Sequence, residues 1–298
     1  MKEDMKIIGQ ELFRHGKRLF EMARTNILYI IWLIIYFRWS HFVIQPFFGR
    51  DLVGGFVFTL MLYAVSLTIA YFFGDEILKL IEGVRPLETK REKEYLTPLF
   101  EEVYEDVKEI YPEMPEVKLH IVDTLSVNAM AIGNRTIAVT QGAVETFTSE
   151  ELQGVMAHEM SHIYYGDTKA IIMNTIGNGI ATIAVLGIKL FLRLLERIFG
   201  QREFGVIFTL FRFILETWVF LLLWFGRFIL SFNSRANEFK ADKFAYETGY
   251  GKQLTEALYI LQKMSLGQKV KLVHRLQASH PRTSKRIGRL EALEDGEI

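Results

Sequence analysis

The sequence has no cysteine among its 298 residues. Disulfides, thiolate metal ligands and a cysteine nucleophile are all excluded, which leaves histidine and carboxylate to hold any metal. Net charge is also absent: Lys plus Arg and Asp plus Glu number 35 each, so no global field favours nucleic acid or an acidic partner. A cleavable signal is not expected in the first 25 residues either. The first 25 residues mix Lys2, Lys6, Arg14, Lys17, Arg18 and Arg24 with acids and scattered apolar residues, so the first apolar run is expected to be kept as an anchor. No internal repeat or low-complexity segment stands out. Hydrophobic residues, by contrast, make up 50% of the chain and aromatic residues 13%, a composition that leans towards membrane proteins.

Long apolar runs carry that composition. Asn26 to Phe48 is long enough to span a bilayer, although Arg38 and His41 interrupt it. Leu52 to Phe73 follows as 22 residues without a charge, and the short connection between the two makes them an antiparallel hairpin. Six basic residues precede the first run and Arg50 alone lies in the connection, which places the N-terminus in the cytoplasm. Ala170 to Leu192 and Phe204 to Phe232 are two later apolar runs. The second contains Arg212 and Glu216, four apart and able to pair on one helix face. The charges Lys189, Arg193, Arg197 and Arg202 between these runs make the later hairpin less regular than the first.

The segment between the hairpins is polar. Tyr95 to Ile110 has helical apolar spacing and ends before Pro112. From Val117 the period changes to two, which predicts a strand; Val127 to Ile132 and Thr136 to Thr140 are two more short β candidates, with Gly133-Asn134 as a turn between them. The fold class expected is therefore mainly α with a small β-sheet, an α+β arrangement. Thr148-Ser149-Glu150-Glu151 forms a capping box and Gly166 supplies a stop, predicting a helix of about five turns.

That helix carries H-E-x-x-H at His158, Glu159 and His162. Residues four apart share a helix face, so two imidazoles can converge on one ion, and the spacing suits zinc. Glu159, beside the first of them, is placed to take a proton from a water during attack on an amide. A catalytic zinc site needs a third ligand, and a carboxylate commonly supplies it. Glu238 is the candidate, in a helix that Ser234 can cap and Gly249 can end. Asp242, one turn further on, can hydrogen-bond the outer nitrogen of a ligand histidine. His15, His41, His120 and His274 have no partner motif and read as structural or solvent-facing. Further helices fit Gln253 to Met264 and Pro281 to Leu293.

Four stretches together resemble a known family: H-E-M-S-H at 158–162, S-R-A-N-E-F-K-A-D at 234–242, N-A-M-A-I-G at 128–133 and S-H-P-R-T-S-K-R-I-x-R-L at 279–290. The chain resembles the HtpX-like membrane zinc metalloproteases, gluzincins related to the CAAX prenyl endopeptidases. The order of the motifs is similar too, with a hydrophobic hairpin between the two ligand helices. The resemblance implies one Zn2+ per chain held by His158, His162 and Glu238, with Glu159 as general base. It suggests that an extended substrate pairs with the strand near Asn128, and that His280 stabilises an oxyanion. It also implies cleavage of misfolded membrane proteins in quality control.

The expected organisation is a multi-pass cell-membrane protein with a zincin-like protease domain facing the cytoplasm. Residues 1–25 form a cytoplasmic segment, 26–73 a first transmembrane hairpin, 74–168 the first part of the protease domain, 169–232 a second hairpin, and 233–298 the part bearing Glu238. Its partners would be protein or peptide substrates and the lipid bilayer, with no nucleic acid. A prenyl-protein endopeptidase is the rival within the enzyme class, although four spans are few to enclose a large chamber. A non-catalytic adaptor keeping zinc for folding would have no use for Glu159. A channel or transporter would explain the intramembrane charges and leave H-E-M-S-H unexplained.

Overall fold

The computed structural model describes residues 26–199, 209–210, 213–214, 217, 235–265 and 282–297. Expectations for 1–25, for Arg212, Glu216, Ser234 and His280, and for nearly all of 204–232 lie outside the described residues. The chain divides into two compact units: Met1–Ile27, Asp75–Ala170 and Phe232–Ile298 form one, and Leu28–Gly74 with Ile171–Ser231 form the other.

The second unit is apolar. Helix α1 (Ile27–Ile44) is followed by a 3-10 turn at Gln45–Phe48 and by α2 (Leu52–Glu82). Trp32, Tyr36 and Tyr63 are buried together, and the Tyr63 hydroxyl finds a local partner, as burial requires. Ser40 Oγ donates to the Tyr36 carbonyl at 2.8 Å and lies 3.0 Å from the Tyr63 hydroxyl. His41 pairs with Thr59 at 3.3 Å, which fits the structural role expected of it. Arg38 is exposed. Among the described residues one helix, α2, is long and apolar enough to cross a membrane, and Ile27–Phe42 is a shorter apolar helix. Of the four expected spans, the second is thus the one that the described residues show at full length. The third predicted run lies in a 33-residue helix, α6 (Asp167–Phe199), that also carries Lys169, Lys189, Arg193, Glu196 and Arg197.

The end of the second apolar run differs from the sequence reading. The second run was expected to end at Phe73, but α2 continues to Glu82. Loss of apolarity at Asp75 and Glu76 marks a change of environment, whereas backbone hydrogen bonds continue through polar residues. The following helix, α3 (Lys90–Ile110), starts within the charged stretch Glu88 to Tyr95, which reads as a solvated helix start ahead of the apolar spacing, at a capping box in which Thr89 accepts from Glu92 N–H and Glu92 accepts from Thr89 N–H.

The first unit is built on a four-stranded sheet of β1 (Val84–Pro86), β2 (Lys118–Val122), β3 (Ala129–Ile132) and β4 (Thr136–Thr140), in the order β1-β2-β4-β3. Strand β2 runs parallel to β4, and the two outer pairs are antiparallel. Gly133, at φ +61°, makes the β3–β4 turn. All five residues of β4 are buried, as expected of a central strand covered on both faces. The strand expected from Val127 starts at Ala129 instead. Strand β1 has three residues and too little length for a period to show.

Helices α4 (Gln141–Thr146) and α5 (Ser149–Tyr164) follow the sheet, and α7 (235–247), α8 (Gly251–Ser265) and α9 (Thr283–Glu294) complete the unit. One core joins them: Leu96, Phe100, Val103 and Val107 of α3, Ile121, Ile137 and Val139 of the sheet, and Leu152, Met156, Met160 and Ile163 of α5 pack with Phe244, Leu254, Leu258 and Leu290. Gly154 brings α5 and α8 together. A Cβ there would lie 2.4 Å from the Leu254 backbone nitrogen, closer than any side chain allows.

The entry to α3 is stapled by charge. Arg85 donates to Glu92 at 2.8 Å and to Asp123 at 2.7 Å, joining β1, the end of β2 and the helix start. The Arg85 hydrogen bonds, with the backbone N–H groups of Glu88 and Thr89, hold the Glu92 carboxyl down at about 2 from an ordinary 4.5. A carboxylate depressed in the folded state adds stability that is complete above its unfolded value and is lost as pH falls from about 4.5 through about 2. Glu92→Gln should therefore flatten the acid limb of a melting-temperature profile across that window. Parallel profiles for the two proteins would show that the staple adds nothing.

Candidate metal centre

Helix α5 is fixed before its polar side chains are considered. Thr148 and Glu151 cap it reciprocally, Gly166 at φ +70° ends it, and ten of its 16 residues are buried. The shorter span, about four and a half turns rather than five, keeps His158, Glu159 and His162 in its second half. His158 is 4% exposed, and the two imidazoles stand edge to face with centroids 5.1 Å apart.

Each imidazole is held from behind. His158 Nδ1 lies 3.2 Å from Asp242 and His162 Nδ1 lies 3.0 Å from Asp167. A proton on each Nδ1, donated to these carboxylates, leaves each Nε2 as the acceptor nitrogen of its ring. Both Nε2 atoms turn to one buried carboxylate: Glu238 Oε2 is 3.4 Å from His158 and Oε1 is 3.6 Å from His162. The predicted Asp242 contact is thus present. Asp167, which holds His162, was missed; it immediately follows the Gly166 stop and is the first residue of α6.

His158, Glu159 and His162 also form a group whose ligand atoms lie within 4.8 Å of one another. Two carboxylates therefore stand near the imidazoles, and their surroundings separate them. Glu159 Oε2 accepts the Ala131 backbone N–H at 2.8 Å, tying it to strand β3. Glu238, 3% exposed, faces both Nε2 atoms. Two imidazoles and this carboxylate are a donor set that fits a divalent transition metal, with zinc favoured by its nitrogen content.

Charge crowds the site. Burial and Arg286 pull the His158 pKa down, but Asp242 and Glu238 raise it overall. Burial likewise opposes His162, yet Asp167, Glu159 and Glu238 push it up to about 9. Burial would raise Asp242, but His158 and Arg286 hold it below the usual carboxylate range. Arg286, buried on α9, was not singled out from sequence although it lies in the 279–290 stretch. Its guanidinium donates to Asp242 at 2.6 Å and pairs with Glu238 at 3.0 Å.

Asn128 is exposed and stands just before β3 rather than within it, which corrects the expectation. Its N–H donates to Thr140 Oγ1 at 3.0 Å, and its carbonyl accepts from Thr140 N–H at 3.0 Å and Oγ1 at 2.9 Å. The neighbouring strand is nonetheless a sheet edge. His280 lies outside the described residues.

Comparison with known proteins matches residues 90–294 to the family model described as Peptidase family M48. A protease HtpX homolog of Bacteroides fragilis (strain YCH46) is 36% identical over 118 residues, 38% of this chain and 34% of that protein. The chain thus spans about a third of that relative's length. A protease HtpX homolog of Methylacidiphilum infernorum (isolate V4) is 26% identical over 312 aligned residues, 94% of this chain and 99% of that protein. Among solved structures, the crystal structure of S. mikatae Ste24p is similar at a TM-score of 0.49 and 20% identity, covering 96% of this chain and 66% of that one.

If the Nδ1 contacts orient the imidazoles, weakening one should weaken metal retention. Asp167→Asn is expected to lower zinc affinity about 10- to 100-fold, read by competition with a chelator. An unchanged affinity would mean that the backbone alone sets the His162 ring.

Proposed function

Since the chain belongs to peptidase family M48, we propose that it is an integral-membrane endopeptidase using one zinc ion, held by His158, His162 and Glu238. The observation that carries this reading is the convergence of two Nε2 atoms on the buried Glu238 carboxylate, with Glu159 alongside. Bound there, zinc supplies the positive charge that polarises a scissile carbonyl and acidifies a water.

The chain's own groups do the rest. Glu159 takes the proton of the attacking water and passes it to the leaving amine. The Ala131 N–H positions the carboxylate for this, in hydrogen-bond contact with Oε2. Because that N–H points away from β4, residues 129 and 131 turn their peptide groups outward from the edge strand, and the Ala131 N–H is the one of these groups that Glu159 already engages. An extended substrate adds to this edge by main-chain pairing, with Asn128 flanking it. His280 is proposed to stabilise the oxyanion.

The substrates proposed are misfolded membrane proteins, presented to a site on the cytoplasmic side of the cell membrane. Support for the location comes from α2, long and apolar enough to cross a bilayer, and from the basic residues before the first apolar run. Selection of the edge strand as binding surface suits unfolded chains, since main-chain pairing is indifferent to sequence.

Two measurements test this reading. Glu159→Gln, purified in detergent, should keep its zinc and lose about 10²- to 10⁴-fold in cleavage of an unfolded protein; equal cleavage by both proteins would remove Glu159 as base. In sealed vesicles, a protease added from the extracytoplasmic side should leave residues 84–166 uncut. Cutting there under those conditions would refute the cytoplasmic placement.

A further inference from the structure

We propose that Arg286 is a positioning residue for the metal centre, its guanidinium fixing Glu238 and Asp242 so that a divalent cation meets a preset group of ligands. This inference rests on the zinc-peptidase reading above.

The geometry singles this arginine out. Its Nη1 lies 3.0 Å from Glu238 Oε2. Its Nη2 donates to Asp242 Oδ1 at 2.6 Å, and its Nε lies 3.1 Å from Oδ1 and 3.0 Å from Oδ2 of the same group. One planar cation therefore spans both carboxylates of α7, engaging Asp242 in a fork and Glu238 with its remaining arm. Arg286 is 8% exposed, Glu238 3% and Asp242 2%. Water cannot substitute for these bonds without opening the core.

Electrostatics explains why a cation is required there. Glu238 and Asp242 sit one helical turn apart, a spacing at which like charges repel. Glu159 and Asp167 add two more carboxylates around the same imidazoles. A dication neutralises two of the four negative charges. Arg286 neutralises a third, and its guanidinium keeps its proton at every accessible pH.

The arginine reaches the metal ligands both directly and through Asp242. It contacts Glu238 directly, and it contacts His158 through Asp242, which accepts from the guanidinium and lies 3.2 Å from His158 Nδ1. Its Nη2 also lies 3.3 Å from each ring nitrogen of His158. It is delivered by α9, whose Ile287 and Leu290 are buried in the core beside it. Arg286 is thus held by packing as well as by charge. Being cationic it cannot coordinate the ion, so its effect is on where the ligands stand.

The test uses the full chain in detergent, in a Glu159→Gln background that suppresses self-cleavage. Zinc affinity by chelator competition, the visible spectrum of the cobalt(II) form and the melting temperature of the metal-free protein are compared for Arg286, Arg286→Gln and Arg286→Lys. The expected result is a metal-free fold retained in at least the lysine variant, zinc affinity lower by about 10- to 100-fold, and an altered cobalt spectrum. Lysine keeps the charge but lacks the fork, so it should not restore binding. If Arg286→Gln does not fold, Arg286→Lys decides. A folded lysine variant with parental affinity and spectrum overturns the proposal, and so does failure of the lysine variant to fold, which would make the arginine structural. Failure of the parent to bind one zinc per chain overturns the zinc reading itself and this inference with it; parental binding with an indifferent lysine variant overturns this inference alone.

Discussion

Burying charge without a partner costs several kcal/mol per group, and the first unit is arranged around that constraint. His158, Asp167, Glu238, Asp242 and Arg286 are all buried in it, and every one has a polar neighbour supplied by a different element. The carboxylates behind the imidazoles come from α6 and α7, and the guanidinium comes from α9. The site is consequently a meeting point of segments far apart in the chain, brought together by the core around α5. The apolar contacts of α3, α5 and α8 supply the stability against which this concentration of charge is tolerated.

The edge strand and the motif helix are joined by one hydrogen bond, from Ala131 N–H to Glu159. Through it the carboxylate that we propose as base is referenced to the surface on which we propose that substrate lies. The Thr140 hydroxyl performs a related task at the other end of that strand, donating to the Ser126 and Asn128 carbonyls and accepting from Asn128 N–H. Strand position is thereby set at both ends, with the outward peptide groups between them.

Much of the site was legible because its signals are local. T-x-x-E, Gly166 and the four-residue histidine spacing lie within one helix, and capping boxes and positive-φ glycines act over a few residues. Asp242 was legible by its spacing from Glu238. Asp167 and Arg286 were not, since their roles depend on which side chains face them in space. Arg286 lies 128 positions from His158, and no periodicity relates the two. The end of α2 at Glu82 was missed for another reason: apolarity reports environment, whereas the helix is carried by its backbone. Strand β1 was too short for alternation to register.

Gly154 lies one turn before His158 on the motif helix, where its missing side chain lets the backbone of α8 come close. Helices that meet through side chains can slide or roll as rotamers change. A contact between backbones offers no such give. The junction acts as a mechanical stop on the axial position of α5, so the placing of the two imidazoles is inherited from the main chain and is insulated from substitutions in the surrounding core.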